Sequence, residues 1–125
     1  MKLQWKPDWE LGVQEIDQQH QNLFAFLRDV LRYADDQPLQ QKIFTDFGLY
    51  ARIHSAYERD LLLIKGHQSE AGEAQQDSLV RRMARLRRRL HMGKNSRKYL
   101  SRLFHAWMDR HLRNERNQHR QLQAL

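Results

Sequence analysis

At 125 residues the chain is the size of one ordinary domain, and it reads as a single unit over 1–125. It has no cysteine, which excludes disulfides, thiolate metal sites and cysteine nucleophiles, so any metal must be held by nitrogen and oxygen. Its net charge of +7 lies on a polar sequence with two prolines and five glycines, too few for a loop-rich β fold, and no run is apolar enough to span a membrane.

The first sixteen residues carry Trp5, Pro7 and Trp9 and lack the apolar stretch of a signal peptide. They read as an extended arm packed on the body of a cytoplasmic protein. Helical spacing starts at about Asp17: Ile16, His20, Leu23, Leu27, Val30 and Ala34 recur at steps of three and four. Asp35-Asp36-Gln37-Pro38 ends this helix, and Pro38 is placed to start the next. A second helix runs from about Leu39 to Lys65, with Ile43, Phe47, Tyr50, His54, Tyr57, Glu58 and Leu61 on one face and Gly66 as its stop. A third starts near Ser69, as its N-cap, and ends before Gly93. Leu79, Met83, Leu86 and Leu90 are its apolar stripe. Glu73 and Asp77 lie one step round, and periodicity alone leaves their direction open. A fourth helix runs from Asn95 or Ser96 to near Gln121, with Leu100, Leu103, Phe104, Trp107, His111 and Glu115 on one face. Short polar connections make neighbouring helices antiparallel, which predicts an all-α, up-down-up-down four-helix bundle.

Two motifs stand out within these helices. His54-Ser55-Ala56-Tyr57-Glu58 and His111-Leu112-Arg113-Asn114-Glu115 each set an imidazole four residues ahead of a carboxylate, stacked one turn apart on one face. His20 falls on the core face of the first helix. Buried carboxylates are stable only when paired or metal-bound. Inward-pointing His and carboxylate side chains from several helices are how helical bundles build di-metal sites. The same groups also admit a metal-free core, in which three imidazolium ions nearly balance the four carboxylates Glu58, Glu73, Asp77 and Glu115.

The segment Leu11-Gly12-Val13-Gln14-Glu15-Ile16-Asp17-Gln18-Gln19-His20, preceded by Trp9, resembles the N-terminal signature of bacterial hemerythrins. His54 to Glu58 looks like their second-helix motif, Gly66 sits where their helix-ending turn falls, and Trp107 four residues before His111 matches their fourth-helix motif. The resemblance covers nearly the whole chain and implies a hemerythrin-like bundle with a non-haem di-iron site. It implies that His20 and His54 hold one iron, the one with an open position. His111 would hold the other, with Glu73 and Asp77 standing where the family carries histidines. Glu58 would bridge the irons, and Glu115 would be the second bridge. The family's aspartate five residues after the fourth-helix histidine is Arg116 here. Related hemerythrin-like domains in iron-sensing and iron-centre repair proteins instead use Glu at the four-residue spacing, which is the place of Glu115. Such a set is harder and more anionic than the family's five histidines and two carboxylates. It favours ferric iron and also suits manganese. The implied role is O2, redox or iron sensing or handling, with oxidase-like side chemistry at a di-iron site and O2 or another diatomic as partner, rather than bulk O2 transport.

Ten Lys or Arg and no acid fall between Arg81 and Met108. Arg81, Arg82, Arg85, Arg88 and Arg89 read either as a wet helix face or as a surface for an anionic partner, whether protein, nucleotide or nucleic acid. Only Tyr99 interleaves with them, which argues against single-strand stacking. The competing functional reading is therefore a metal-free bundle that acts as an interaction module through its third helix. His67, His91, His105 and His119 lie off the stripes and read as surface residues. No Gly-rich phosphate loop, nucleophile elbow or His-Glu-x-x-His motif is present.

Overall fold

The computed structural model describes the backbone of residues 3–64, 69–91 and 96–123, with side chains described for 3–61, 63–64, 78–90 and 96–117. A 3-10 turn (Pro7–Trp9) is followed by α1 (Gln14–Arg32), α2 (Gln37–Ile64), α3 (Ser69–His91) and α4 (Arg97–Gln123). No strand occurs among the described residues. Helix α1 packs along α2, α2 along α3, and α1 against α4, as in a helical bundle. Among the described residues no helix is long and apolar enough to cross a membrane. Helix α3 starts at Ser69 as the spacing predicts, while the Gly66 and Gly93 stops and the side chains of Ser69, His67, His91 and His119 lie outside the described residues.

Local chemistry sets the helix ends. Helix α1 begins at Gln14, earlier than the spacing predicts. The reason is Asp17, whose two carboxylate oxygens accept the backbone N–H groups of Leu11 (2.8 Å) and Gly12 (3.0 Å) and pull the incoming chain onto the first turn. Gly12 sits at φ +85°, and a Cβ there would meet nothing within 4 Å, so the backbone angle and not the space requires glycine. Asp36 Oδ1 accepts the Leu39 N–H at 3.2 Å at the start of α2, with Pro38 in its first turn. Ser96 Oγ accepts the Tyr99 N–H at 3.1 Å and caps α4.

The interior divides into an apolar and a polar part. Leu27, Val30, Phe44, Phe47, Leu100 and Phe104 are fully buried, and Leu79, Leu86 and Leu90 of α3 close on them. The buried face of α2 runs through Gln40, Phe44, Phe47, Ala51, His54 and Glu58, one residue round from the predicted stripe. Ile43, Tyr50, Tyr57 and Leu61 are half-buried flanks. Two hydroxyls explain the rotation, because each stays where it finds a polar partner. Tyr50 accepts from Asn22 at 2.9 Å, and Tyr57 donates to Glu15.

Residues 3–13 join α1 to α4. Trp5 and Trp9 pack edge to face 5.3 Å apart and both meet Phe24 of α1. Trp9 Nε1 donates to Asp109 of α4 at 2.7 Å, Lys6 pairs with the same carboxylate at 3.3 Å, and Arg116 donates to the Asp8 carbonyl. His105 is half-buried here rather than on the open surface that its sequence position predicts. Its Nδ1 donates to the Ser101 carbonyl (3.0 Å), which leaves Nε2 to accept the Gln4 N–H (3.3 Å).

Candidate metal centre

Five ionisable side chains from three helices meet in the polar part of the core. His20 comes from α1, His54 and Glu58 from α2, and His111 and Glu115 from α4; each is at most 5 % exposed. The i, i+4 spacing does what it dictates: Glu58 Oε1 lies 2.5 Å from His54 Nε2, and Glu115 Oε1 lies 3.1 Å from His111 Nε2. Glu115 Oε1 is the hub, also 3.1 Å from His54 Nε2 and 3.7 Å from His20 Nε2. His20 Nε2 is 3.8 Å from Glu58 Oε1, and the His54 and His111 Nε2 atoms are 3.4 Å apart.

This geometry leaves several buried polar atoms without a hydrogen-bond partner. His54 Nδ1 donates to Gln19 Oε1 at 2.6 Å, which aims Nε2 at the cluster and makes it the lone-pair nitrogen whenever the ring is neutral. That nitrogen faces two carboxylate oxygens and a second imidazole nitrogen, and one proton on it can serve only one of them. Glu58 Oε1 is left unpartnered, as are both nitrogens of His20, His111 Nδ1 and Glu115 Oε2, all buried. Orphaned buried polar atoms cost free energy, and so many at one point mark a place built around something else. A cation could accept one lone pair from each of His20, His54, His111 and Glu115 at once.

The site's charges point the same way. Burial pushes the His111 ring down to about 4, so it is neutral and ligand-ready. Burial also opposes charge on His54 and His20, but the Glu115 and Glu58 carboxylates beside them outweigh it; they raise His20 and hold His54 up at about 9. Burial and the adjacent Glu115 push Glu58 up to about 7. Burial opposes ionisation of Glu115 as well, yet Glu58 and the imidazoles hold it well below the usual carboxylate range. In the metal-free protein, protons stand between these groups where a cation would stand.

The nitrogens of His20, His54 and His111 and an oxygen of Glu115 all lie within 4.8 Å of one another. Metal–ligand bonds of about 2 Å put co-ligands of a single ion about 3–4 Å apart, so a small contraction would close this set on one ion. Trp107 stacks on His111 with ring centres 5.1 Å apart and planes 8° from parallel, fixing the orientation of that ring. Gln19 does the same for His54, and periodicity gives no sign of it because the contact joins residues 35 apart. The side chains of Glu73 and Asp77 lie outside the described residues. Arg81, Arg85, Arg88 and Arg89 are exposed. Arg82 differs: it is half-buried, with its guanidinium 5.6 Å from the Trp107 ring centre.

Comparison with known proteins adds a distant similarity along most of the chain. It is 25 % identical over 116 residues to a bacteriohemerythrin of Pseudomonas aeruginosa (strain LESB58), covering 90 % of this chain and 76 % of that protein. The bacteriohemerythrin of Pseudomonas paraeruginosa (strain DSM 24068 / PA7) is 26 % identical over 117 residues, with the same coverage. No family model matches the chain, and no solved structure matches it.

Proposed function

We propose that the chain is a single hemerythrin-like unit over 1–125, an antiparallel up-down-up-down bundle with residues 1–16 as its arm, and that its buried cluster binds non-haem metal. Iron is the first choice and manganese the second. The observation that carries this reading is the convergence of three imidazoles on one Glu115 oxygen, amid buried polar atoms left without hydrogen-bond partners. The similarity to bacteriohemerythrins supports it.

His20, His54, His111, Glu58 and Glu115 would hold the metal, and Glu73 and Asp77 would add carboxylates from α3 for a second ion. Bound iron would supply one-electron redox chemistry and a position for O2 or another diatomic. The protein's own part is burial, which keeps water from the donors, and ring orientation, which Gln19 imposes on His54 and Trp107 on His111. Donors rich in carboxylate favour the ferric state. Sensing or handling of O2, redox state or iron therefore fits better than reversible carriage.

A single-ion reading is favoured by one specific observation: the three Nε2 atoms cluster on one oxygen rather than in two groups. Metal analysis by mass spectrometry of protein produced with iron decides between them. About two ions per chain with near-ultraviolet oxo-bridge absorption supports the di-iron site, and about one supports the single-ion site. Metal-free protein whose melting temperature ignores added iron and manganese overturns both readings and leaves the interaction module.

A further inference from the structure

A second concave site lies at the seam of α3 and α4, a hollow of ≈ 240 Å³ that the metal cluster does not use. Arg82, Arg85 and Arg89 line it from one face of α3, at helical steps of three and four; Trp107 and Arg110 line it from α4. Among the described residues, α3 and α4 do not approach as closely as α2 and α3 do, so long side chains rather than backbone packing fill the seam.

Four like charges around one hollow repel each other. Among the described residues no carboxylate pairs with any of the four, for the exposed ion pairs are Lys6–Asp109, Lys42–Asp46, Arg59–Asp60 and Arg97–Asp35. Arg82 lies across the Trp107 ring, and its Nε and one terminal nitrogen are buried without an acceptor. Trp107 Nε1 is likewise buried without one. Apart from the Tyr99 hydroxyl 3.5 Å from Arg89 and the charge of buried Glu115 acting on Arg82, the hollow holds donors in excess and little to balance its positive charge.

We propose that the α3–α4 hollow binds a small phosphate-bearing anion, with a diphosphate group as the best match. Guanidinium forks recognise tetrahedral oxyanions with paired N–H bonds, and four of them suit a multiply charged group better than a single carboxylate. A volume of ≈ 240 Å³ holds a diphosphate and is concave, unlike an extended basic face. Arg81 and Arg88 are exposed on the same helix but do not line the hollow.

Titrating the metal-free full chain with inorganic pyrophosphate, at fixed ionic strength in chloride, tests this independently of metal binding. Calorimetry should show one site per chain, and tryptophan fluorescence should change in the wild type but not in Trp107→Phe. Arg110→Gln, an exposed change that leaves the fold intact, should weaken binding about tenfold or more, whereas Arg88→Gln should leave it within about twofold. Arg82→Gln should behave like Arg110→Gln. Equal losses in Arg88→Gln and Arg110→Gln would show a diffuse basic face and overturn the proposal. So would binding of anionic-lipid vesicles or an oligonucleotide without binding of free pyrophosphate, or the absence of any pyrophosphate signal.

Discussion

The core around Phe44, Leu27 and Phe104 and the core around His20, His54 and His111 are built on continuous faces of the same helices, yet they close in different ways. In the first, the buried side chains are apolar apart from small Ser101 and from Gln40, whose amide donates to the Val30 carbonyl at 3.2 Å and whose Oε1 is left unpartnered. Dispersion and the loss of apolar surface from water complete it without further partners. In the second, the same degree of burial is applied to groups that need protons or a cation, and several of their atoms have neither. Burial alone therefore does not define the interior: it stabilises one part directly and makes the other depend on how its charges are balanced, by protons or by an ion.

The strongest way to break this contrast is to damage the apolar part and ask whether the polar part notices. Phe44→Ala should cost about 3–5 kcal/mol in urea unfolding while leaving metal content per folded chain unchanged. Loss of metal in step with stability would show that the two parts are one unit. The reverse experiment gives the next largest effect. Iron at about 100 times its dissociation constant should stabilise the wild type by about 2.7 kcal/mol. It should also raise the melting point of Phe44→Ala. Glu115→Gln should abolish the response, because the hub oxygen lies within 3.7 Å of all three imidazoles. A Glu115→Gln protein that still responds fully would move the binding site elsewhere.

Gln19 sharpens the comparison within the polar part. Its carbonyl oxygen takes the His54 Nδ1 proton and so aims Nε2 at the cluster. Gln19→Leu keeps the bulk and removes the acceptor, and should weaken metal binding about 10–100-fold with little change in metal-free stability. Competition against a chelator measures the first quantity and urea unfolding the second. A large loss of metal-free stability would make Gln19 a structural residue only.

Helix number and the i, i+4 pairs are legible in the sequence because period and spacing encode them directly. The face of α2 is legible only to within one residue, since Phe44 and Ile43 are both apolar and only the partners of Tyr50 and Tyr57 decide which turns inward. Asp17 looks like the start of a helix. Its carboxylate instead holds the backbone of Leu11 and Gly12, a job that no apolar period announces. Arg82 reads with its neighbours as part of a basic surface. It is half-buried because Trp107 lies beneath it, and pairing between helices is not written in either helix alone. Gln19 stays hidden for the same reason.

The smallest effect concerns the arm, which touches neither part through a charged cluster residue. Partial burial would raise the Asp109 carboxyl, but hydrogen bonds from Trp9 and Lys6 and the Lys6 charge outweigh it and hold it below the usual carboxylate range. A depressed carboxyl stabilises the folded form above its unfolded value, and that contribution is lost as pH falls through the folded value. The arm should therefore stay docked as pH drops through about 4, where an ordinary aspartate protonates, and release below it. Trp9 fluorescence reports the release. Asp109→Asn removes the titrating group and should remove this acid step while changing global stability little, because the carboxylate is substantially exposed. Added metal should not move the step, since Asp109 makes its hydrogen bonds to the arm alone. An acid step that shifts with iron would tie the arm to the polar core, and one that persists in Asp109→Asn would assign it to another carboxyl.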